Sequence, residues 1–486
     1  MKKIYISIAA LALFTTGGCK KYLEHAPDQR TEVNTVDKVS QLLTSAYPQA
    51  NYIAFTEAAS DNAEDRGAGY SLDRLSTLPF MWQDNADTDN DTPTDYWNAS
   101  YQAIAAANQA LVAIEEATDK TGYSPYKGEA LLARAYAHFM LVTLYSKVYV
   151  PNGDNSSPGI PYVTSPEKVV SQQYTRGTVA SVYESIEKDL IEGMPLIQNQ
   201  AYKVPKYHFN VAAAHAFAAR FYLFKADYAK VVEHASAVSP GNGFGTILRP
   251  WTTRYRNYTG EEMLTNFTQA TEPSTLLLIE TPSSWARTTG ARFGFGQVLF
   301  GQLFGSNNVT GTRWGHGVYT YGVPNYTFLK FNEYFVKTSQ NATIGYPYTI
   351  VPVFTADETL LNRAEAYANL GQTDLALQDL NTFCTTRIAG FNPATQGVTL
   401  AKIAAFYGLA SPKEGLVKTV LDFKKAEFVQ EGLRWLDIVR LNIPVTHRIV
   451  KFVGLPEVIE LPADDKRRLF QLPSQVKLSG IEQNPR

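Results

Sequence analysis

The chain has 486 residues, of which 45% are hydrophobic and 19% charged; this composition suits a large folded core and excludes disorder or a coiled coil as a description of the whole. Its 44 Lys and Arg residues are balanced by 46 Asp and Glu residues, which gives a net charge of -2. Because no long run of one sign occurs, the basic surface of a nucleic-acid-binding protein is missing, and we expect no nucleic-acid partner.

The first nineteen residues have the pattern of an export signal. Lys2 and Lys3 precede an apolar stretch over 4–14, and small residues then lead to Cys19. This ending resembles a bacterial lipobox, in which residues 1–18 are removed and Cys19 carries acyl chains such as palmitate. An ordinary secretory signal before a chance cysteine is the alternative, which we disfavour because the whole chain contains only two cysteines. The apolar stretch is too short to span a bilayer, so we expect a lipid anchor on a membrane.

Amphipathic helices are predicted after the signal. The first clear one begins at Asp95, a residue type that favours the N-cap, and its core-facing positions lie three to four residues apart. These positions are Trp97, Tyr101, Ile104, Asn108 and Leu111. The pattern predicts that the Trp97 ring is part of the core. Further helices are predicted over 128–148, 171–196 and 211–237.

Two helical pairs share a pattern of small residues that resembles the tetratricopeptide helix-turn-helix. The shared positions are Ala219, Tyr222, Ala226, Val231 and Ala235 in one pair, and Ala364, Tyr367, Gly371, Ala376 and Leu380 in the other. The copies are separated by much more than the roughly 34 residues of a continuous array, so large insertions must interrupt the repeats. The alternative is two unrelated helical hairpins.

Helical periodicity disappears between residues 240 and 353, where Gly, Pro, Asn, Thr and aromatic residues dominate. The segment Leu276–Ile279 is the clearest strand candidate there. We therefore predict a mostly α fold in one domain over 19–486. Its helical scaffold covers about 28–239 and 354–486, and about 240–353 forms a loop-rich irregular lobe with few short strands.

No catalytic motif stands out. H-E-x-x-H, G-x-S-x-G and a Walker loop are missing, and Gly294-x-Gly296 lacks the third glycine of a dinucleotide fingerprint. His208 and His215 lie among Phe and Ala residues, which favours core histidines over metal ligands. We expect no enzyme activity, no cofactor and no required metal.

An acidic cluster between Asp84 and Asp95 leaves two further hypotheses open. Its members are Asp84, Asp87, Asp89, Asp91 and Asp95. Paired carboxylates can hydrolyse glycosides or hold calcium, although Thr92 stands where an EF-hand requires Gly. The interpretation that we favour is a solvated loop that caps the helix at Trp97.

A second group of charges, between Glu427 and Arg440, is spaced as on one helix beside Trp435. This spacing favours an internal ion-pair network that fixes the helix to the scaffold, rather than a catalytic set.

Aromatic residues are in excess, at 12% of the chain, and 13 of them lie between Trp285 and Phe335. Glycines are interleaved with these rings, and Glu333 is the one acidic residue of the segment. Such a segment can form a carbohydrate platform or a docking face, but core packing is the better interpretation for any single ring.

These motifs together resemble the SusD/RagB family of outer-membrane nutrient-uptake lipoproteins. The residues that carry the resemblance are Cys19 with Tyr22–Leu23, Pro27, Ala46–Tyr47, Ser60–Asn62, the helix motif of Trp97, Tyr101, Ile104 and Asn108, Leu361 with Ala364–Ala366, the set Glu427, Glu431, Gly432, Arg434, Trp435, Asp437 and Arg440, and Gln483–Pro485. The late set is the most specific, and it is similar to E-x3-E-G-x-R-W-x-D-x2-R. The chain departs from the family at 354–358, where a basic residue is usual.

The resemblance implies four tetratricopeptide-like helix pairs and an irregular lobe. It also implies a location on the outer membrane, facing the exterior, and a partner, a SusC-like TonB-dependent barrel that the lipoprotein covers as a lid. Members of the family typically bind glycans, and some handle peptides.

Candidate ligand-binding residues follow from the chemistry of sugars, whose C–H face lies against an indole or phenol while their hydroxyls need donors and acceptors. Exposed tryptophans with polar neighbours are therefore the residues to seek. The candidates are Trp82, Asp84 and Asn85 before the first repeat helix, and Trp285, Arg313, Trp314 and Tyr319 in the lobe.

We therefore predict a lipid-anchored protein that binds an oligosaccharide and delivers it to the barrel without catalysis. Two alternatives stay open, uptake of peptides by the same architecture and a lipid-anchored glycoside hydrolase that uses the Asp84–Asp95 cluster. A purely structural adaptor is a third.

Overall fold

The computed structural model describes residues 33–167, 169, 172–320, 322 and 325–486. The predicted export signal and Cys19 lie outside the described residues, so the lipid anchor stays a prediction. Helices make up 49% and strands 10% of the structure. The prediction of a mostly α fold with few short strands is confirmed.

Most of the α-helices come before or after the irregular lobe in the sequence. In chain order the α-helices of the described residues are α1 (Val36–Leu43), α2 (Ile53–Ala59), α3 (Arg74–Phe80), α4 (Pro93–Glu116), α5 (Ser124–Tyr145), α6 (Val179–Gly193), α7 (Val211–Lys225), α8 (Tyr228–Val238), α9 (Gly260–Asn266), α10 (Gln297–Phe300), α11 (Ala356–Asn369), α12 (Thr373–Cys384), α13 (Pro393–Gln396), α14 (Leu400–Tyr407), α15 (Pro412–Glu427) and α16 (Leu433–Arg440).

The strands are short, and most belong to the lobe. They are β1 (Glu64–Asp65), β2 (Thr275–Pro282), β3 (Phe293–Gly294), β4 (Tyr319–Thr320), β5 (Tyr326–Thr327), β6 (Glu333–Lys337), β7 (Gly345–Thr355), β8 (Val445–Ile449) and β9 (Glu457–Leu461). Strands β2, β7 and β6 form an antiparallel sheet in that order, and the predicted strand Leu276–Ile279 lies within β2. The two-residue pair β1–β3 joins the scaffold to the lobe.

Consecutive helices pack together as pairs, namely α4 with α5, α7 with α8, α11 with α12 and α14 with α15. The small residues within the helices of the two aligned pairs are buried, namely Ala219, Ala235, Ala364 and Ala376. Ala226 and Gly371, which align in the sequence pattern, both have a left-handed backbone just after a helix, with φ of 55° and 75°. The predicted helix-turn-helix pairs are therefore present.

The first long helix begins slightly earlier than the sequence suggests. The Thr92 hydroxyl accepts a hydrogen bond from the Asp95 backbone N–H at 3.2 Å, so Thr92 is the N-cap of α4. Trp97 is 5% exposed on this helix, which confirms its place in the core. None of the helices in the part of the chain that the structure describes is long and apolar enough to cross a membrane.

The charges between Glu427 and Arg440 form an internal network, as predicted, but they do not share one helix: α15 ends at Glu427 and α16 begins at Leu433, after a turn with left-handed residues. Arg387 donates to Glu427 from Nη2 at 2.7 Å, Arg434 donates to Asp61 at 2.8 Å, and Arg440 donates to Glu365 at 2.7 Å. These ion pairs fasten α15 and α16 to other parts of the scaffold.

Candidate functional site

A groove surrounds the half-buried ring of Trp285, at the junction of the lobe and the helical scaffold. Its wider side, next to Arg287 and Asn332, holds about 200 Å³, whereas its narrower side, next to Arg66 and Asp73, holds only about 20 Å³; Trp285 and Gln430 line both. We call it the Trp285 groove, and its polar and aromatic lining includes Arg66, Asp73, Trp285, Arg287, Asn332 and Gln430.

Trp285 is positioned by a chain of hydrogen bonds that begins at a buried carboxylate. Asp91 accepts from the Ser283 hydroxyl at 2.6 Å and from the Ser284 backbone N–H at 2.7 Å. The Ser283 Oγ in turn accepts from the Trp285 backbone N–H at 3.0 Å, and the indole Nε1–H donates to the Gln430 carbonyl at 3.2 Å. The ring is therefore held at its edge and at its backbone.

Gln430 adopts a left-handed backbone, with φ of 66°, which is costly for a residue other than glycine. Three further contacts hold it there. Its Oε1 accepts from the Phe328 N–H at 2.8 Å, its Nε2 donates to the Thr327 hydroxyl at 3.2 Å, and its backbone N–H donates to Glu57 at 2.6 Å. The floor of the groove is thus a rigid, strained turn, as is common at binding sites.

Glu57 supports this turn from beneath. It is 2% exposed, and it also accepts a hydrogen bond from the Gly432 N–H at 2.9 Å. Burial raises the pKa of Glu57 to about 7, although the two backbone donors favour its charged form.

Two arginines flank the groove. Arg66 donates to the Asn325 side chain at 2.8 Å, and its guanidinium lies 4.5 Å from the centre of the Tyr70 ring. Arg287 forms a bidentate pair with Glu333 at the other side, with Nε donating at 2.5 Å. The groove therefore combines an indole ring with planar donors and paired carboxylates, a combination that suits a polar ligand with apolar faces.

Two of the predicted platform residues are core residues. Trp82 is 6% exposed, its ring lies 4.5 Å from that of His447, and its Nε1–H donates to the Ala59 carbonyl. Trp314 is 8% exposed and packs edge-on against Phe423 at 4.7 Å. The expectation of exposed rings is wrong for both, because the aromatic-rich interior of the protein uses them to fill space.

The other predicted residues lie in different surroundings. Asp84 forms an ion pair with Arg486 at 2.6 Å, and Asn85 is buried and accepts from the Asp87 backbone N–H at 2.9 Å. Arg313 is exposed. Tyr319 is half-buried and donates its hydroxyl to the Tyr258 carbonyl at 3.3 Å. Of the seven predicted ligand-binding residues, Trp285 alone lines the groove.

The acidic cluster is the predicted loop only in part: Asp84 and Asp89 are exposed, and the loop ends at the N-cap Thr92, but Asp91 is buried. Asp91 is 1% exposed and accepts from Asn51, Ser283 and Ser284, so it joins the N-terminal helices to the lobe. Burial raises the pKa of Asp95 to about 7. None of the five carboxylates lines the groove, and no three His, Cys, Asp or Glu side chains among the described residues are arranged to hold a metal ion.

The two histidines considered above have partners within the protein. His208 Nδ1 lies 2.7 Å from a Glu129 oxygen, and His215 Nδ1 lies 3.1 Å from His234 Nδ1. Both rings are half-buried. The His208 contact ties the segment before α7 to α5, and the His215 contact joins α7 to α8.

Sequence reasoning missed most of the groove. Arg66 and Gln430 are far apart in the chain, and no local pattern brings them together. Glu333 could have been singled out from the sequence, because it is the one acidic residue of the aromatic segment. In the structure it pairs with Arg287, which explains why a carboxylate occurs there.

Two family models match parts of this chain. The family described as "Starch-binding associating with outer membrane" matches residues 21–223, and the SusD family matches residues 302–461. The comparison with curated proteins gave no significant match.

Solved structures show the same fold over almost the whole chain. A putative sugar binding protein from Bacteroides vulgatus is 19% identical with a TM-score of 0.70, over 94% of this chain and 99% of that one. A SusD superfamily protein from Bacteroides thetaiotaomicron is 20% identical with a TM-score of 0.61, over 93% and 100%. A laminarin binding SusD-like protein is 17% identical with a TM-score of 0.56, over 93% and 98%. These structures show the fold, and the two family matches, which together cover more than half of the residues, show that the chain belongs to the SusD family.

Proposed function

We propose that this protein binds an oligosaccharide in the Trp285 groove and delivers it to a SusC-like TonB-dependent transporter in the outer membrane, without catalysis. The observation that carries the proposal is the half-buried Trp285 ring, held rigidly beside hydrogen-bonding side chains. The family is a carbohydrate-binding one, and one structural relative is described as laminarin binding.

A sugar that packs on the Trp285 ring would gain a free energy that suits reversible binding. Covering about 100 Å² of apolar sugar surface, at about 25 cal/mol per Å², contributes about 2.5 kcal/mol before ordering costs. One such platform with a few hydrogen bonds supports weak, reversible capture. That strength suits a protein that passes its ligand to a partner.

The acidic residues of the groove support binding rather than hydrolysis. Asp73 accepts from the Leu75 backbone N–H at 3.0 Å as the N-cap of α3, and Glu333 is paired with Arg287. Glu57 holds the Gln430 turn through its two backbone hydrogen bonds. Each carboxyl therefore has a structural role, whereas glycoside hydrolysis needs two carboxyls that face the same bond.

The anchor and the partner belong to the same proposal. Acylation of Cys19 would keep the protein at the membrane, and the lid-like partnership with a barrel is what the family resemblance implies. Peptide cargo is the alternative, and the experiment below compares the two ligand classes directly.

Titration calorimetry on the chain without its signal measures the affinity of the groove for two classes of ligand. One class is a panel of neutral glucans that includes laminarin and starch oligosaccharides, and the other is a set of short peptides. Trp285→Ala should weaken binding of the preferred glycan about tenfold or more. Phe452→Ala is the matched control, since Phe452 is a fully exposed aromatic residue on another part of the surface. Glycan affinity that is unchanged in Trp285→Ala would refute the proposed site, and binding of peptides alone would favour the alternative cargo.

A further inference from the structure

A second and larger cleft, of about 800 Å³, lies on the helical scaffold and shares no lining residue with the Trp285 groove. One face of α4 forms its floor, and residues 161–167, Tyr174 and the C-terminal segment 475–481 form its walls. We call it the carboxamide cleft, and its polar and aromatic lining includes Asn98, Tyr101, Gln102, Gln109, Tyr174 and Gln475.

The floor of this cleft is an exposed helix face without charge. No Asp, Glu, Lys or Arg occurs between Tyr96 and Ile114, yet Gln102, Ala105 and Gln109 are exposed. The exposed face of a helix in a globular protein usually carries charged residues. Its neutrality here is explained if the face contacts a neutral ligand.

The polar groups of the cleft are mostly carboxamides and hydroxyls, which both donate and accept hydrogen bonds. Gln475 Nε2 donates to the Asn98 Oδ1 at 3.2 Å, so these two carboxamides of the lining are hydrogen-bonded to each other. Among the described residues of the lining, Glu167 is the one that carries a charge, and it accepts a hydrogen bond from the Tyr174 hydroxyl at 2.6 Å. None of the described residues that line the cleft is basic, so this lining offers no ion pair to a phosphate or another anion.

The walls are tied to each other and to the floor. The Tyr101 ring packs 5.0 Å from that of Trp97, and its hydroxyl donates to the Pro161 carbonyl at 2.9 Å. The Tyr174 backbone N–H donates to the Ser479 carbonyl at 2.9 Å, which joins the two walls. The cleft is therefore formed before any ligand arrives, which lowers the cost of binding.

We infer that the carboxamide cleft binds a neutral oligosaccharide, as a second site beside the Trp285 groove; the choice of ligand rests on the proposed function. Phenol rings supply faces for the C–H surface of a sugar, and the carboxamides supply in-plane partners for its hydroxyls. Its volume is within the roughly 300–1,000 Å³ range of small-molecule sites, and its concave form suits a ligand better than a flat protein interface.

The test uses two sets of variants with one glycan panel. Gln102→Ala combined with Gln109→Ala removes two carboxamides, and Ala105→Phe fills the floor between them. Gln378→Ala is the matched control, because Gln378 is an exposed glutamine on another helix of the scaffold. Calorimetry measures affinity and stoichiometry, and hydrogen exchange at 98–109 shows which site each glycan protects.

The wild-type protein should bind two oligosaccharides per chain. The cleft variants should reduce this to one and abolish protection at 98–109, whereas Trp285→Ala should leave that protection in place. If Trp285→Ala binds as the wild type while the cleft variants lose binding, the proposed groove fails and the second site stands. Cleft variants that bind every glycan like the wild type would overturn the inference, and loss of association with the barrel partner alone would show that the cleft docks protein. A wild-type chain that binds no glycan would refute both sites.

Discussion

The turn between α7 and α8 contains a strained residue. Ala226 has a left-handed backbone, with φ of 55°, and this conformation costs an L-residue with a Cβ about 1 kcal/mol. Ala226→Gly should therefore raise the free energy of unfolding by about 1 kcal/mol, measured by urea denaturation.

The aligned turn of the second helical pair provides the reverse experiment. Gly371 has φ of 75°, and no atom lies within 4 Å of a Cβ built at this position, so backbone strain is the main effect there. Gly371→Ala should lower stability by a similar amount. Equal stability of both variants and the wild type would show that the two turns relax without cost.

Glu57 should make stability depend on pH. Burial raises the pKa of Glu57 to about 7 from an ordinary value near 4.5, so between these pH values the folded state holds a proton that the unfolded state has lost. Stability then falls as the pH rises from about 5 to about 7, by about 3 kcal/mol at most from this one group.

Glu57→Gln removes the titrating group, but its amide nitrogen cannot accept from one of the two backbone N–H groups, of Gln430 and Gly432. The variant should therefore be less stable than the wild type at pH 5 and should lose less stability between pH 5 and pH 8, in urea titrations across that range. Parallel curves for the two proteins would show that Glu57 keeps an ordinary pKa in the fold.

At the level of elements, the long helices could be predicted and most of the site could not. Helical periodicity is a local signal, so the α7–α8 and α11–α12 pairs follow from Tyr222 and Tyr367 with their small neighbours. In the lobe, the sequence reveals which residues are aromatic but not which rings face the interior. Trp314 and Trp285 both lie in this aromatic segment. Contacts with distant segments bury Trp314 but leave Trp285 in the groove.

Helix α16 carries a buried aromatic residue, Trp435, which we expect to stabilise the fold without contacting the ligand. The Trp435 ring is 1% exposed and lies 5.8 Å from that of Phe470. Trp435→Ala should lower stability by about 3 to 5 kcal/mol, because it removes a buried ring and leaves a cavity. Thermal unfolding measures the loss, and calorimetry on the folded protein should give the glycan affinity of the wild type. Normal melting with abolished binding would instead place α16 in the binding site.

At the scale of the molecule, a buried charge cluster joins the lobe to the scaffold. Lys330 and His316 of the lobe lie 2.7 Å from Glu431 and 2.8 Å from Glu427 of the scaffold. All four side chains are almost fully buried. Since buried charges need their partners, the two parts of the chain are expected to unfold together.

Lys330→Met tests this coupling. Lys330 Nζ donates to the Glu427 and Val429 carbonyls as well as to Glu431, so the change leaves a buried carboxylate and two carbonyls without this donor. Stability should fall by about 3 to 5 kcal/mol. Glu431→Gln in the same chain should restore part of the loss, because Glu431 then has only Arg249, at 3.6 Å, as a cationic partner among the described residues, and Arg249 keeps Asp357 when the Glu431 carboxylate is removed. Calorimetric unfolding should show one transition that moves to lower temperature, since the lobe and the scaffold share the cluster. Two separate transitions in Lys330→Met would mean that the lobe unfolds independently and that the cluster is not what unites the molecule.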